Sequence, residues 1–257
     1  MSAVERADDG FWQELRLSTQ ARIGLGRTGD SLPTRRVLEF RSAHAAARDA
    51  VHMPLDVDDT AAAVEKIGIG VPAVVTSKAT SRAEYLRRPD LGRTPDDLSS
   101  ITPGDFDLGF VLGDGLSPRA LMDHGPSMLA ALVEELSDVY SLAPPVIATE
   151  ARVALGDHIA EAMGVRTVVV LIGERPGLSV ADSLGIYLTH LPAPGKSDAD
   201  RNCISNIHPP EGLGYEQSAR IVASLVAGAR RLGRSGVALK DTSRADALEN
   251  SEVLTIE

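Results

Sequence analysis

The stretch VVVLIGERPGLS, residues 168–179, decides how the chain is read. Val168 to Ile172 are five apolar residues in succession, too few to span a membrane and without the alternation of a half-exposed strand. Such a run is a strand covered on both faces. Gly173, Glu174, Arg175, Pro176 and Gly177 then break it into a charged, backbone-permissive loop. The carboxyl end of such a strand is where open α/β sheets take their ligands. A second apolar run, Leu184 to Leu188, leads to DADRNCISNIHPP (198–210), which holds Cys203, Asn206 and His208. This region predicts a binding site or a subunit contact.

Working outward, the elements on both sides alternate. Phe106 to Leu112 reads as a strand ending in GDGLSP, Ser117 to Tyr140 as a helix with Ser117 capping and Pro118 in its first turn, and Pro145 to Ala148 as a strand. Ala151 to Gly164 reads as a helix closed by its glycine, and Tyr215 to Leu232 as a last helix with Arg230 and Arg231 at its carbonyl end. Strand and helix in alternation predict the α/β class: a Rossmann-like parallel sheet domain with helices on both faces. Right-handed crossovers then bring GDGLS, ATEAR, GERPG and CISNIH to one edge.

An N-terminal arm and a small helical region precede that domain. Residues 1–32 read as an extended arm offering Phe11, Trp12 and Leu15 for docking on a neighbour or on the chain's own core. Residues 33–100 form the helical region, opening with PTRRVLEFRSAHAAARDAVH (33–52), whose apolar positions predict a helix with one buried stripe. Its charged face is solvated or meets another subunit. Asp58 to Gly68 reads as a second helix, VPAVVTSK as a short extended piece, and SRAEYLRRPD as a helix ending before Pro89. The domain boundary falls in the polar stretch 90–103, the α/β domain covers 101–241, and 242–257 is a polar tail.

Composition narrows the function classes. A chain of 257 residues with 43% hydrophobic content can furnish a full core. A formal net charge of -10 argues against nucleic acid and against an electrostatic membrane partner. A single cysteine excludes an internal disulfide and suits a reducing cytoplasm. The acidic amino terminus lacks a secretory h-region, and nowhere do about 18 apolar residues run together.

Three chemistries compete for the polar residues. GLGRTG (24–29) matches GxGxxG, so a free-standing NAD(P)-dependent oxidoreductase is one alternative, although the helix signals lie beyond the last glycine. Cys203 with His208 five residues on suggests a nucleophile and base; a small buried or contact cysteine is the plainer reading. Glu174 could act as an acid or base at a strand end, or simply hold its turn through Arg175. The histidines are scattered, and no metal-ligand spacing emerges.

Four blocks in order, SLPTRRVLEFRSAHAAARDAVHMPLD, VIATEARVALGDHIAEAMGV, VVVLIGERPGLSVADSL and DADRNCISNIHPP, closely resemble the small (light) subunit of ethanolamine ammonia-lyase, over residues 16 to 240 or so. The resemblance implies an adenosylcobalamin-dependent lyase that converts ethanolamine to acetaldehyde and ammonia by radical chemistry. It implies a hetero-oligomer in which a large barrel subunit carries catalysis while this chain, with no catalytic residue of its own, helps enclose the cobalamin. The family's cobalamin-contact positions fall on Val153, Glu174 and Cys203, all matching by residue type. No DxHxxG occurs, so no cobalt ligand is expected from this chain. The implied location is cytoplasmic, or inside a bacterial microcompartment, to which some members are directed by an extra amphipathic segment that the short acidic arm does not resemble. A scaffold without cofactor contact is the remaining alternative.

Overall fold

Val165–Gly173, the strand built on the apolar run, is the longest of six in a single sheet. The computed structural model describes residues 3–243. In chain order it contains α1 (Ala3–Leu17), α2 (Thr34–His52), α3 (Val57–Glu65), β1 (Ala73–Thr76), α4 (Arg82–Arg87), β2 (Phe106–Gly113) and α5 (Pro118–Leu136). There follow β3 (Val146–Thr149), α6 (Leu155–Met163), β4 (Val165–Gly173), β5 (Leu184–His190), β6 (Asn202–Ile207) and α7 (Tyr215–Leu232). The part of the expected polar tail beyond residue 243 lies outside the described residues.

Side chains on β2 and β4 divide by parity. Leu108, Phe110, Leu112, Val169 and Leu171 join a core with residues of α3, α5 and α7, whereas Val111, Val168, Val170 and Ile172 join a second core with α6. Val168 to Ile172 are all buried, as a strand covered on both faces requires. The helices take opposite faces because α5 leads from β2 to β3, while α6 leads back past β2 to β4. Right-handed crossovers running in opposite directions put their helices on opposite sides.

The sheet corrects the expectation of a parallel, Rossmann-like domain. Its order is β1-β3-β2-β4-β5-β6, with β1, β3, β2 and β4 parallel but β5 antiparallel to both β4 and β6. The sheet is mixed for a local reason. A parallel return needs a crossover of about a dozen residues or more, usually a helix, and the connections 174–183 and 191–201 carry Pro176, Gly177, Pro192, Pro194 and Gly195 instead. Two reversals restore direction, so β6 runs the same way as β4. Leu184 pairs with Gly173 on one side and Ile207 on the other, bringing CISNIH to the edge where β4 ends.

Other differences lie toward the amino end. The expected arm is helical over Ala3–Leu17 rather than extended. Trp12 packs on Gly24, where a Cβ would come within 2.3 Å of the indole, so this contact needs glycine. On α2 only Ala50 is buried; Leu38 and Phe40 remain 58% and 44% exposed, so the expected buried stripe is only partly covered by this chain. The piece read as extended at 71–78 supplies β1, which pairs with β3 at the sheet's edge.

One buried ion pair ties α6 to the approach of β6. Arg201 reaches both carboxylate oxygens of Asp157 at 2.8 and 2.6 Å, with each side chain 1% exposed, and also donates to Thr189 Oγ1 at 2.9 Å. Removing one partner strands the other charge, so Arg201→Ala should cost about 3–5 kcal/mol in denaturant unfolding. The paired replacement Asp157→Leu with Arg201→Met should recover much of that loss. A loss below about 1 kcal/mol for the single variant would show that water reaches the pair.

Candidate functional site

The site begins with the carboxylate of Asp114, immediately after β2. Its two oxygens accept from the amides of Glu150 and Ala151, each at 2.8 Å. Both amides belong to the turn after β3, and Glu150 adopts a φ of 51°, a left-handed conformation uncommon for a residue with a side chain. Arg82, from α4, approaches Asp114 and Glu150 at 3.3 Å each. It also donates to the carbonyls of Gly115 and Val51, at 2.8 Å in both cases. The Tyr85 hydroxyl donates to the Ala151 carbonyl at 2.8 Å. On the other side of β2, the Leu116 amide donates to the Gly173 carbonyl at 3.0 Å. The loops GDGLS, ATEAR and GERPG therefore meet at one edge.

Between them lies an open cleft of about 390 Å³, with Tyr85, Arg152, Val153, Ile172, Glu174 and Tyr187 in its lining. Val153 and Glu174 are thus brought together. Glu174 is held by its own chain: its amide donates to the Ser183 carbonyl at 3.0 Å, and its Oε2 accepts from Ser183 Oγ at 2.6 Å and the Asn206 amide at 3.2 Å. Oε1 accepts no hydrogen bond among the described residues and remains an available acceptor.

Cys203 adjoins this cleft through Tyr187. The two pair across β5 and β6, so both point to the α6 side of the sheet. Burial, together with the charges of Cys203 and Glu174, pushes the Tyr187 hydroxyl up to about 12. Cys203 is exposed on this chain, but the desolvation its neighbours impose still raises its thiol above the ordinary value. A thiol so raised is protonated at neutral pH and is a poor nucleophile. His208 does not serve it: its Nε2 is engaged by Asn206 Oδ1 at 2.9 Å. The nucleophile-and-base arrangement is not assembled.

GLGRTG also lacks the frame its pattern would need. Among the described residues no strand leads into it, and α2 starts only at Thr34. The segment beside it instead clips onto the loop carrying Glu174, through Arg22 donating to the Leu178 carbonyl at 2.8 Å and Ser179 donating to the Gln20 carbonyl at 3.1 Å. Sequence reading passed over Asp114, Tyr85, Arg152 and Tyr187 as individuals, though Asp114 and Arg152 lie in loops expected at this edge. Only contacts between distant segments single them out.

The family model for the ethanolamine ammonia-lyase light chain matches residues 9–240. The chain is 71% identical over 247 residues to the ethanolamine ammonia-lyase small subunit of Rhodococcus erythropolis, covering 96% of each chain. It is 45% identical to that of Ralstonia nicotianae over 93% of this chain and 91% of the relative. Against that of Pseudomonas fluorescens it is 47% identical, over 93% and 90% respectively. Among the described residues, no helix is long and apolar enough to cross a membrane.

The edge should be sensitive to pH. Burial raises Asp114 from 3.8 to about 7, against the pull of the Ala151 and Glu150 amides and of Arg82. The folded chain then keeps a proton that the unfolded chain has released, so this group's contribution to stability falls as pH rises from about 4 to about 7. Urea midpoints over that range should decline more steeply for the native sequence than for Asp114→Asn. A rise relative to the variant would mean that the amides and Arg82 keep the carboxylate charged throughout.

Proposed function

Since the chain belongs to the ethanolamine ammonia-lyase light-chain family, and is a subunit of a lyase complex, we propose that its cleft covers one side of an adenosylcobalamin at the contact with the catalytic large subunit. The complex would convert ethanolamine to acetaldehyde and ammonia. The observation carrying this reading is the meeting of Val153 and Glu174 in one cleft, with Cys203 next to it across Tyr187.

The residues fit one face of such a group in chemistry. A cleft of about 390 Å³ lies near the small end of ligand pockets, about 300 to 1,000 Å³, and covers only part of a macrocycle. A second subunit must close it. Val153, Ile172 and Leu116 offer apolar contact to a flat ring, and the free Oε1 of Glu174 offers an acceptor to peripheral carboxamide N–H groups. The protonated thiol of Cys203 gives a compact, weakly polar contact without competing as a nucleophile. When bound, adenosylcobalamin supplies a cobalt–carbon bond whose homolysis generates the radical. This chain's part is to orient the ring and keep water from that side.

Further support for an obligate partner comes from α2. Its exposed Leu38 and Phe40 stand beside charged Arg35, Arg36 and Glu39, a mixture suited to a subunit contact. In this proposal α2 and α1 grip the large subunit while the sheet's edge faces the cofactor.

The test uses the two subunits expressed together. Glu174→Ala should weaken cobalamin retention on gel filtration while leaving the subunits associated, and Val153→Trp should do so more strongly by filling the cleft. Ethanolamine-dependent aldehyde formation should fall with retention and be partly restored by excess cofactor. Full retention in both variants would leave the chain as a scaffold. Separately, Phe40→Glu should reduce co-purification of the two subunits, and unchanged assembly would remove α2 from the interface.

A further inference from the structure

Two guanidinium groups share the ring of Tyr85, and their circumstances differ. The Arg82 guanidinium lies 4.9 Å from the ring centroid, the Arg152 guanidinium 4.6 Å. Arg82 is ion-paired to Asp114 and Glu150 and donates to two carbonyls, although its Nη2 is buried without a partner. Arg152 has no ion pair and no side-chain hydrogen bond among the described residues, and its Nε is buried without a partner. Yet it lines the same cleft as Glu174.

Arg82 and Arg201 each have one buried, unpartnered N–H as well, but both are ion-paired; Arg152 stands apart in having no carboxylate or carbonyl partner for its side chain among the described residues. The chain also goes to some length to hold Arg152 there. Its amide donates to the Gly92 carbonyl at 2.8 Å. A Cβ on Gly92 would come within 2.7 Å of the Tyr85 ring and 3.0 Å of Arg152 Cγ, so glycine is required for both to close in. Upstream, the Asp114 carboxylate holds the turn from which Arg152 projects. The guanidinium is preorganised, planar and unspent, which suits an oxygen acceptor on a ligand.

We propose that Arg152 is a further cofactor-binding residue, donating from its guanidinium to an oxygen of the ligand whose N–H groups Glu174 accepts. The assignment rests on the reading of the cleft as a cobalamin surface. Both line one cleft, and a donor beside an acceptor suits ligand carboxamides, whose C=O can accept from Arg152 and whose N–H can donate to Glu174. Cobalamin offers such an oxygen in two places, its peripheral carboxamides and the phosphodiester of its nucleotide loop.

The experiment titrates the assembled two-subunit complex with hydroxocobalamin and with cobinamide, which lacks the phosphodiester, following the visible absorption of the corrin. Arg152→Gln should weaken hydroxocobalamin binding by about ten- to a hundredfold, the loss of one or two charge-assisted hydrogen bonds. An equal loss for cobinamide assigns the contact to a carboxamide, and a loss confined to hydroxocobalamin assigns it to the phosphodiester. Arg152→Lys, which keeps the charge without the planar fork, should fall between. It also stands in as the test variant should Arg152→Gln fail to assemble, and native affinity in the assembled variant overturns the assignment. If the native complex binds neither corrin, the cobalamin reading itself falls. If it binds both and Arg152→Gln binds them equally well, only the role given to Arg152 falls.

Discussion

The two hydrogen bonds from the Glu150 and Ala151 amides to Asp114 are the contact on which the functional edge depends. They join the end of β2 to the turn after β3 and hold Glu150 in a left-handed conformation that its side chain would otherwise disfavour. Arg82 extends the same network to α4 and, through the Val51 carbonyl, to the end of α2. α2 and α4 are thereby attached to the sheet at the same point where the cleft is formed. An acid so deeply buried is costly in its charged form, and burial outweighs these converging donors, raising Asp114 to about 7.

A second constraint acts on the far side of the cleft. β5 and β6 reverse direction twice, so the segment containing Cys203 and Asn206 returns to the edge where β4 ends. The Arg201–Asp157 pair holds the entry of β6 against α6. At the other end of the strand, the Asn206 amide donates to Glu174. β6 is held at both ends, and Cys203 and Tyr187 are consequently presented together on the cleft side of the sheet. Buried ion pairs contribute less to net stability than to defining one arrangement among alternatives. Here the arrangement defined is the spacing between α6 and β6.

The region ahead of the sheet follows another logic. α2 lays little of its apolar surface on this chain, and the segment after α1 contacts the 174–183 loop through main-chain carbonyls. Apolar side chains left in water next to arginines are characteristic of surfaces that are completed by another subunit. In the proposed assembly the large subunit would cover both the cleft and α2.

Much of the architecture was legible in residue order. The apolar run 168–172, the Ser117-Pro118 helix start and the Gly164 helix end are local signals, because burial period, capping and left-handed backbone act over a few residues. The meeting of GDGLS, ATEAR and GERPG at one edge was legible too, and so was the family, carried by four blocks of side chains in order; CISNIH instead reaches that edge as strand β6 through two antiparallel reversals. Strand direction after β4 was not, since it turns on whether a connection holds a helix. Nor was the exposure of Leu38 and Phe40 on α2, which depends on what the described residues pack against it. The Asp114 hub, the free Oε1 of Glu174 and the unanswered charge of Arg152 emerged only in three dimensions. Hydrogen bonds and ion pairs between residues tens of positions apart leave no periodicity in sequence, so tertiary structure alone decides which polar groups are satisfied and which are left for a ligand.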